Sequence, residues 1–405
     1  MNRRELIMAA SLAPLAVSRA LPASAQPPPS EPAASLNEAL LPCLTQYALP
    51  ALAVAVARDG RLVAAGAVGT RRAGTETPVA INDRFHIGSN TKAMTALLAG
   101  MLVEQGALHW DSTLGASFPE LAAQMDAGLR DVTLEQLLPH TSGIPSDGEK
   151  FRSLLTESFA QDELNLDELR YWLVRQWSSQ PLAARPGTRF AYSNTGYTIA
   201  GAMLERSASK TWEELIVERI FVPLGLRTAG LGPQSTLGRV DAPLGHLVRK
   251  DGSLKPMLAG PDGDNPEIMG PGGTAHLSIL DFAAWAGWNA GEGRRGPALV
   301  RPETLRKLHT QVIGISAANA APGTPAIEGR LIDGYCLGWT IVTMPYAPER
   351  FIAHMGSNTL NLAMIMLQPE RDFGMVLATN VAGRNADMGL LAAAKHVYER
   401  FGATT

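Results

Sequence analysis

Four short segments of the 405-residue chain carry residue types able to do chemistry. In the first, Phe85-His86-Ile87-Gly88-Ser89-Asn90-Thr91-Lys92, a serine and a lysine stand three apart. They open an apolar run through Ala93, Met94, Ala96, Leu97, Leu98, Met101 and Leu102. Apolar residues around most of its circumference predict a buried helix. One turn of such a helix brings the Lys92 amine to the face of the Ser89 hydroxyl. A buried lysine is costly unless it is paired or neutral, and both burial and the positive end of a helix dipole favour the neutral form. A neutral lysine can take a proton from serine, which is otherwise a weak nucleophile. Taken alone, the spacing also fits a serine helix cap followed by a solvated lysine. The second segment, Phe190-Ala191-Tyr192-Ser193-Asn194-Thr195-Gly196-Tyr197, reads as a loop opening a helix. Tyr192 and Asn194, two apart on extended chain, point the same way. A phenol beside a cationic amine is expected to have a lowered pKa and to act as base, then acid. An asparagine amide can hold the lysine and donate to a substrate carbonyl.

The third segment, Ala353-His354-Met355-Gly356-Ser357-Asn358, lies at a strand start. A strand edge can supply a backbone N–H to an oxyanion, and a histidine such as His354 can bind a carboxylate or assist proton transfer. The fourth, Gly270-Pro271-Gly272-Gly273, has a spacing to Ala275 that imitates a dinucleotide loop. It follows no predicted strand and opens no βαβ unit, so that reading is rejected. The order S-x-x-K, then Y-x-N well downstream, then a basic residue-x-Gly near the C-terminal strands, is more specific than any one part. It resembles the penicillin-recognising serine hydrolases: class C β-lactamases, D-Ala-D-Ala carboxypeptidases, D-aminopeptidases and the β-lactamase-like family VIII esterases. Leu137-Leu138-Pro139-His140-Thr141-Ser142-Gly143 and Gly270–Gly273 resemble two further loops of that family, and the likeness covers residues 36–402.

The resemblance implies roles. Ser89 matches the nucleophile, Lys92 its activating partner, and Tyr192 the general base and acid. Asn194 matches the residue that orients the lysine and the substrate amide. His354 and Gly356 match the ends of the third motif, and the backbone N–H groups of Ser89 and Ser357 would form the oxyanion hole. The implied substrate is a small molecule: an ester, a β-lactam or a D-amino-acid peptide. No cofactor is implied. One departure matters. Class C β-lactamases carry Lys-Thr-Gly where this chain has His354-Met355-Gly356. Carboxypeptidase, aminopeptidase and esterase relatives more often use histidine there, and a neutral histidine attracts a carboxylate less than lysine does, which argues against efficient β-lactam hydrolysis; a carboxylesterase is the leading expectation, with a β-lactamase or a D-Ala-D-Ala carboxypeptidase/D-aminopeptidase as the alternative. A non-catalytic penicillin-binding-like protein is the remaining alternative, and a pocket without chemistry has no need of a buried lysine. A G-x-S-x-G elbow is absent; Gly314-Ile315-Ser316-Ala317-Ala318 lacks the second glycine. No H-E-x-x-H occurs and the eight histidines are scattered, so no metal is implied.

The elements that must position these residues are legible from periodicity. Residues 36–47 read as a helix with Leu40, Leu41 and Leu44 on one face. Two apolar runs around Asp59-Gly60 predict a hairpin. Phe351–Ala353, Leu360–Leu367 and Phe373–Ala378 read as strands, with a turn at 368–372, and 386–401 as a closing helix. Between these ends, residues 92–106, 163–177, 195–209, 212–223, 276–290 and 302–310 show helical spacing. Strands at both ends with helices between predict an α/β fold of the α+β sandwich kind. It is β-lactamase-like: an antiparallel sheet built from both chain ends, with an inserted helical lobe at about 106–329. Residues 317–329 read as a low-complexity loop.

Composition narrows the setting. Hydrophobic residues make up 46% and charged ones 18%, which excludes a disordered chain. Lys plus Arg number 35 against 38 Asp plus Glu, a formal charge of −3, so no basic excess supports nucleic-acid binding. Two cysteines, Cys43 and Cys336, cannot build a disulfide framework and are expected to be buried and unpaired. Arg3 and Arg4, the apolar run from Leu6 to Val17 and Ala23-Ser24-Ala25 read as a signal peptide over residues 1–25. Its arginine pair, with Arg19, suggests the twin-arginine route. The run falls short of the ~20 residues needed to span a bilayer. A linker is expected over 26–35 and one hydrolase domain over 36–405, in a periplasmic protein without a transmembrane segment in the mature chain. The sequence says nothing of oligomeric state.

Overall fold

In the computed structural model, described for residues 33–316 and 331–402, the two ends of the chain meet in one sheet of nine strands. Ala51–Arg58 and Arg61–Gly69 form the expected hairpin. Asp59 and Gly60 turn it with φ of 52° and 68°, the left-handed pair that a tight two-residue turn requires. On its other side Ala51–Arg58 pairs antiparallel with Phe373–Thr379. Beyond that strand come Leu362–Gln368, Phe351–Ser357, Thr340–Thr343, Leu331–Tyr335 and Ile313–Gly314. At the opposite edge Ala34–Ser35 pairs in parallel with Ala64 and Ala65, so the linker expected over 26–35 gives way to sheet at Ala34. The signal segment 1–25, most of that linker and the loop 317–329 lie outside the described residues.

The central strands are buried on both faces, and their two sets of side chains differ. Ala51, Ala53 and Ala55 face a core shared with the helix Ile279–Ala290. Leu52, Val54 and Val56 face a second core with Leu40 of the helix Asn37–Gln46 and Leu390 of the helix Arg384–Phe401. Alternation with period two is what a strand imposes. Alanines on one side admit a helix closely, and branched residues on the other fill the gap beneath two helices.

The helices expected in the middle of the chain are present as Thr91–Glu104, Leu166–Trp177, Asn194–Ala208 and Pro302–His309. Trp212–Ile216 runs on into a π-helical turn, Val217–Phe221. The segment 276–290 departs from expectation. Ala275–Ser278 is a strand, its His276 opposite His86 of the strand Arg84–His86. The helix begins only at Ile279, where the Ser278 side chain accepts the Asp281 N–H. That helix packs on the large sheet, so part of the span expected as a lobe belongs to the sheet layer. Cys43 is half-buried rather than buried, Cys336 is buried just after its strand, and both are free. Among the described residues no helix is long and apolar enough to cross a membrane.

Candidate active site

Ser89 sits in a single 3₁₀ turn, Gly88–Asn90, that feeds the helix Thr91–Glu104. Every residue of that helix from Thr91 to Leu102 is buried. The chain reaches the turn through Gly88, at a φ of 50°. A side chain there would collide with the strand Phe351–Ser357, because an added Cβ would lie 2.3 Å from the Ser357 nitrogen. The approach is reciprocal: a Cβ on Gly356 would lie 2.1 Å from the Ile87 oxygen and 2.4 Å from the Ser89 nitrogen. Two glycines thus bring the Ser89 and Ser357 amides together. The Ser357 hydroxyl turns away to accept the Thr359 N–H at 2.9 Å.

Lys92 is fully buried. Its Nζ lies 3.0 Å from Ser89 Oγ, 2.6 Å from Asn194 Oδ1 and 2.7 Å from the Gly272 carbonyl oxygen. Burial pushes its pKa down to about 7, against the opposing pull of the Asp147 charge. The geometry suits the neutral amine: two N–H groups go to the two carbonyl oxygens, leaving the lone pair for the serine hydroxyl. Tyr192 is hydrogen-bonded to Ser89, and its ring centroid stands 4.9 Å from Lys92 Nζ. Its pKa moves opposite to the sequence expectation. Burial raises it, and the hydrogen bond to Ser89 only tempers the rise.

Two partners of this set escaped the sequence. Asp147, in the loop before the helix Glu149–Ser158, accepts from the Asn194 side chain at 2.5 Å and from its backbone N–H at 2.9 Å. It thereby fixes which end of the Asn194 amide faces Lys92. Burial raises the Asp147 pKa, with the Asn194 hydrogen bond opposing. His140, from the Leu137–Gly143 loop, stacks its ring 4.2 Å from that of Tyr192. Its Nδ1 accepts the Ser193 N–H at 3.1 Å. Neither residue stands at a telltale spacing from the motifs; long-range folding alone brings them in.

His354 lies against Tyr335. It is 3% exposed, and its Nε2 lies 2.8 Å from the Tyr335 hydroxyl. That hydroxyl is also 3.2 Å from His140 Nε2. Because His140 Nδ1 accepts, its Nε2 carries the proton, Tyr335 accepts it and donates onward, and His354 Nε2 accepts. His354 Nδ1 then donates to the Met355 carbonyl at 2.9 Å. The imidazole is held in a closed chain behind Tyr335 rather than offered to a carboxylate.

A cavity of about 730 Å³ opens next to the nucleophile. Ser89 is not in its lining; its inner end is Asp264, Asn265 and Thr274. Gly273 separates it from the serine, since a Cβ there would stand 3.5 Å from Asn265 Nδ2 and 3.6 Å from the Ser89 nitrogen. The walls carry Asp162, Glu213, Asp264 and Glu267 among leucines and, among the described residues, neither lysine nor arginine. Glu213 is paired with Arg170. Among the described residues no group of three or more His, Cys, Asp or Glu could hold a metal ion.

Residues 36–399 match the model of the Beta-lactamase family. The chain belongs to that family. As a member of a serine hydrolase family it has relatives that differ in size. Penicillin-binding protein 4 of Amycolatopsis lactamdurans is 27% identical over 343 residues, covering 83% of this chain and 82% of the relative. Protein flp of Staphylococcus aureus is 21% identical over 333 residues, 82% of this chain but only 60% of flp, so the family domain spans less than two thirds of that relative. Among solved structures, the D-amino acid amidase of Ochrobactrum anthropi SV3 superposes with a TM-score of 0.71 over 91% of this chain and 98% of its own, at 17% identity. At that identity the likeness is one of fold.

Proposed function

We propose that this family member is an exported serine hydrolase that cleaves a small ester or amide through a Ser89 acyl-enzyme. The observation that carries the reading is the Lys92 amine, buried, shifted to about 7 and 3.0 Å from the Ser89 hydroxyl. Neutral Lys92 takes the Ser89 proton as Oγ attacks the carbonyl carbon. The negative charge that develops on the carbonyl oxygen falls to the Ser89 and Ser357 N–H groups. The Tyr192 O–H, hydrogen-bonded to Ser89, is in reach to pass a proton to the leaving group as the ester or amide bond breaks, and it takes in exchange the proton that Lys92 received from Ser89, so that both end the step neutral. Water then attacks the acyl-enzyme by the same route reversed. Neutral substrates, as for a carboxylesterase, fit best: among the described residues the cavity wall carries no lysine or arginine, and His354 is enclosed. The same wall favours, as a second reading, D-amino-acid amides or esters with a free amine, which Asp162 and Glu267 would attract.

The test is intact-mass analysis of the protein mixed with p-nitrophenyl esters, D-amino-acid amides, D-Ala-D-Ala peptides and nitrocefin. An acyl adduct on Ser89 with turnover of esters is expected. Ser89→Ala should abolish the adduct while leaving the fold intact, since a lost serine at a helix start costs only ~1 kcal/mol. Ester hydrolysis unchanged in the purified Ser89→Ala protein would sink the mechanism.

A further inference from the structure

Between the cavity and the nucleophile, Asp264 joins two strands of the site that the sequence separates widely. Its Oδ1 accepts the Asn358 Nδ2–H at 2.9 Å and its neighbour's Asn265 N–H at 2.7 Å. His86 Nε2 lies 2.8 Å from the same oxygen, off the ideal hydrogen-bond line. His86 is fully buried and its Nδ1 accepts the Gly88 N–H at 3.0 Å. An accepting Nδ1 leaves the ring proton on Nε2, the nitrogen that faces Asp264. Asp264 thus selects the tautomer that can grip Gly88, the residue before Ser89. Asn358 follows Ser357, and its Oδ1 accepts the Leu360 and Asn361 N–H groups at 3.3 and 3.0 Å, closing the loop after the strand. The next residue, Asn265, donates to the Gly273 carbonyl at 2.9 Å, beside the Gly272 oxygen that takes the Lys92 amine.

We propose that Asp264 is a positioning residue for the oxyanion hole: through His86 it sets the Gly88-Ser89 turn, and through Asn358 it sets the Ser357 amide, so that the two N–H groups converge. This rests on the serine-hydrolase reading above. The close approach at Gly88 and Gly356 brings the two amides together, Asp264 ties the segments that carry them from the side, and a misplacement near 1 Å costs about a hundredfold in rate. The carboxylate works through one oxygen alone; Oδ2 is buried and has no hydrogen-bond partner among the described residues.

The experiment measures phosphonylation of Ser89 by a fluorophosphonate in the wild type, Asp264→Ala, Asp264→Asn, Asn358→Ala and the Asp264→Ala/Asn358→Ala double variant, with denaturation midpoints for each. Asp264→Ala should lower kinact tenfold to a hundredfold and leave KI unchanged. Asp264→Asn keeps an acceptor at Oδ1 and should stay within about threefold of wild type. The double variant should be faster than the product of the two single effects, because both substitutions cut the Asp264–Asn358 tie while Asn358 alone also holds the loop after Ser357. A labelled wild type with Asp264→Ala at its rate, Asp264→Asn as slow as Asp264→Ala, or strictly additive effects would each overturn the inference alone. Should Asp264→Ala not fold, Asn358→Ala at the wild-type rate would overturn it. An unlabelled wild type would overturn the serine-hydrolase reading and this inference with it.

Discussion

Lys92 Nζ meets three oxygens, and only two of them are carbonyls. The amine therefore works as a base only when it has lost its third proton. With its pKa pushed down to about 7, kcat/KM for a neutral ester should rise with pH through about 7 and then level. The sign follows from the protonated form: below that pH the ammonium has no lone pair for Ser89. Asp147 raises the lysine's affinity for its proton. Asp147→Asn should therefore move the acidic limb to lower pH while reducing kcat through a less firmly held Asn194. A limb that moves to higher pH would contradict the assigned charge coupling. At this scale the sequence told much. Ser89, Lys92, Tyr192 and Asn194 announce themselves by type and spacing, and the structure brings all four together. The direction of the Tyr192 shift was not legible, because it depends on how deeply the ring is buried, and burial is a property of the packed molecule. Asp147 and His140 were silent for the same reason.

Single elements meet most tightly where the strand Phe351–Ser357 backs onto the turn Gly88–Asn90. Gly356→Ala would force a Cβ to within 2.1 Å of the Ile87 oxygen, and that atom belongs to backbone and cannot swing aside. Overpacking of this kind costs about 1–3 kcal/mol, so the urea midpoint should fall and Ser89 acylation should be lost with it. An unaltered acylation rate would mean that the strand and the turn are not rigidly matched. His354, two residues earlier on the same strand, has a polar contact within the protein that its type and spacing did not announce. Its type suggested a carboxylate reader, but the strand turns it toward Tyr335 and His140. His354→Lys should bring no selective gain for nitrocefin over a neutral ester. It should cost more than about 2 kcal/mol of stability, since an ammonium would enter a site built for an acceptor. A folded variant that gains on nitrocefin alone would restore the carboxylate role. The misread start of the segment 276–290 has a similar origin. Its apolar content suits either a helix or a buried strand, and the pairing of His276 with His86 decides for the strand.

Across the whole molecule, the sheet becomes continuous only where the N-terminal hairpin meets the last strand, Ala51–Arg58 against Phe373–Thr379. The sequence made that layout readable through strand texture at both ends, although the long-range partners themselves were not. That pairing joins residues more than 300 apart in the chain, and long-range pairing of this kind slows folding. This bears on export. We propose that residues 1–25 direct a protein that folds before it crosses the membrane, which is what a twin-arginine signal accommodates. On that proposal the two free cysteines would meet an oxidising compartment, and their reactivity decides whether they survive it. Cys336 is buried, with its thiol pushed up to about 12 by desolvation, and Cys43 is half-buried with its thiol also raised. Thiolate is the reactive form, so both should stay reduced. The full-length chain expressed in a Gram-negative host should therefore yield a periplasmic protein beginning near Gln26, with the mass of the dithiol form. Replacing Arg3 and Arg4 together by lysine should leave uncleaved precursor in the cytoplasm. Efficient periplasmic delivery of that double variant would rule out the twin-arginine route, and an unprocessed wild-type N-terminus would rule out export altogether.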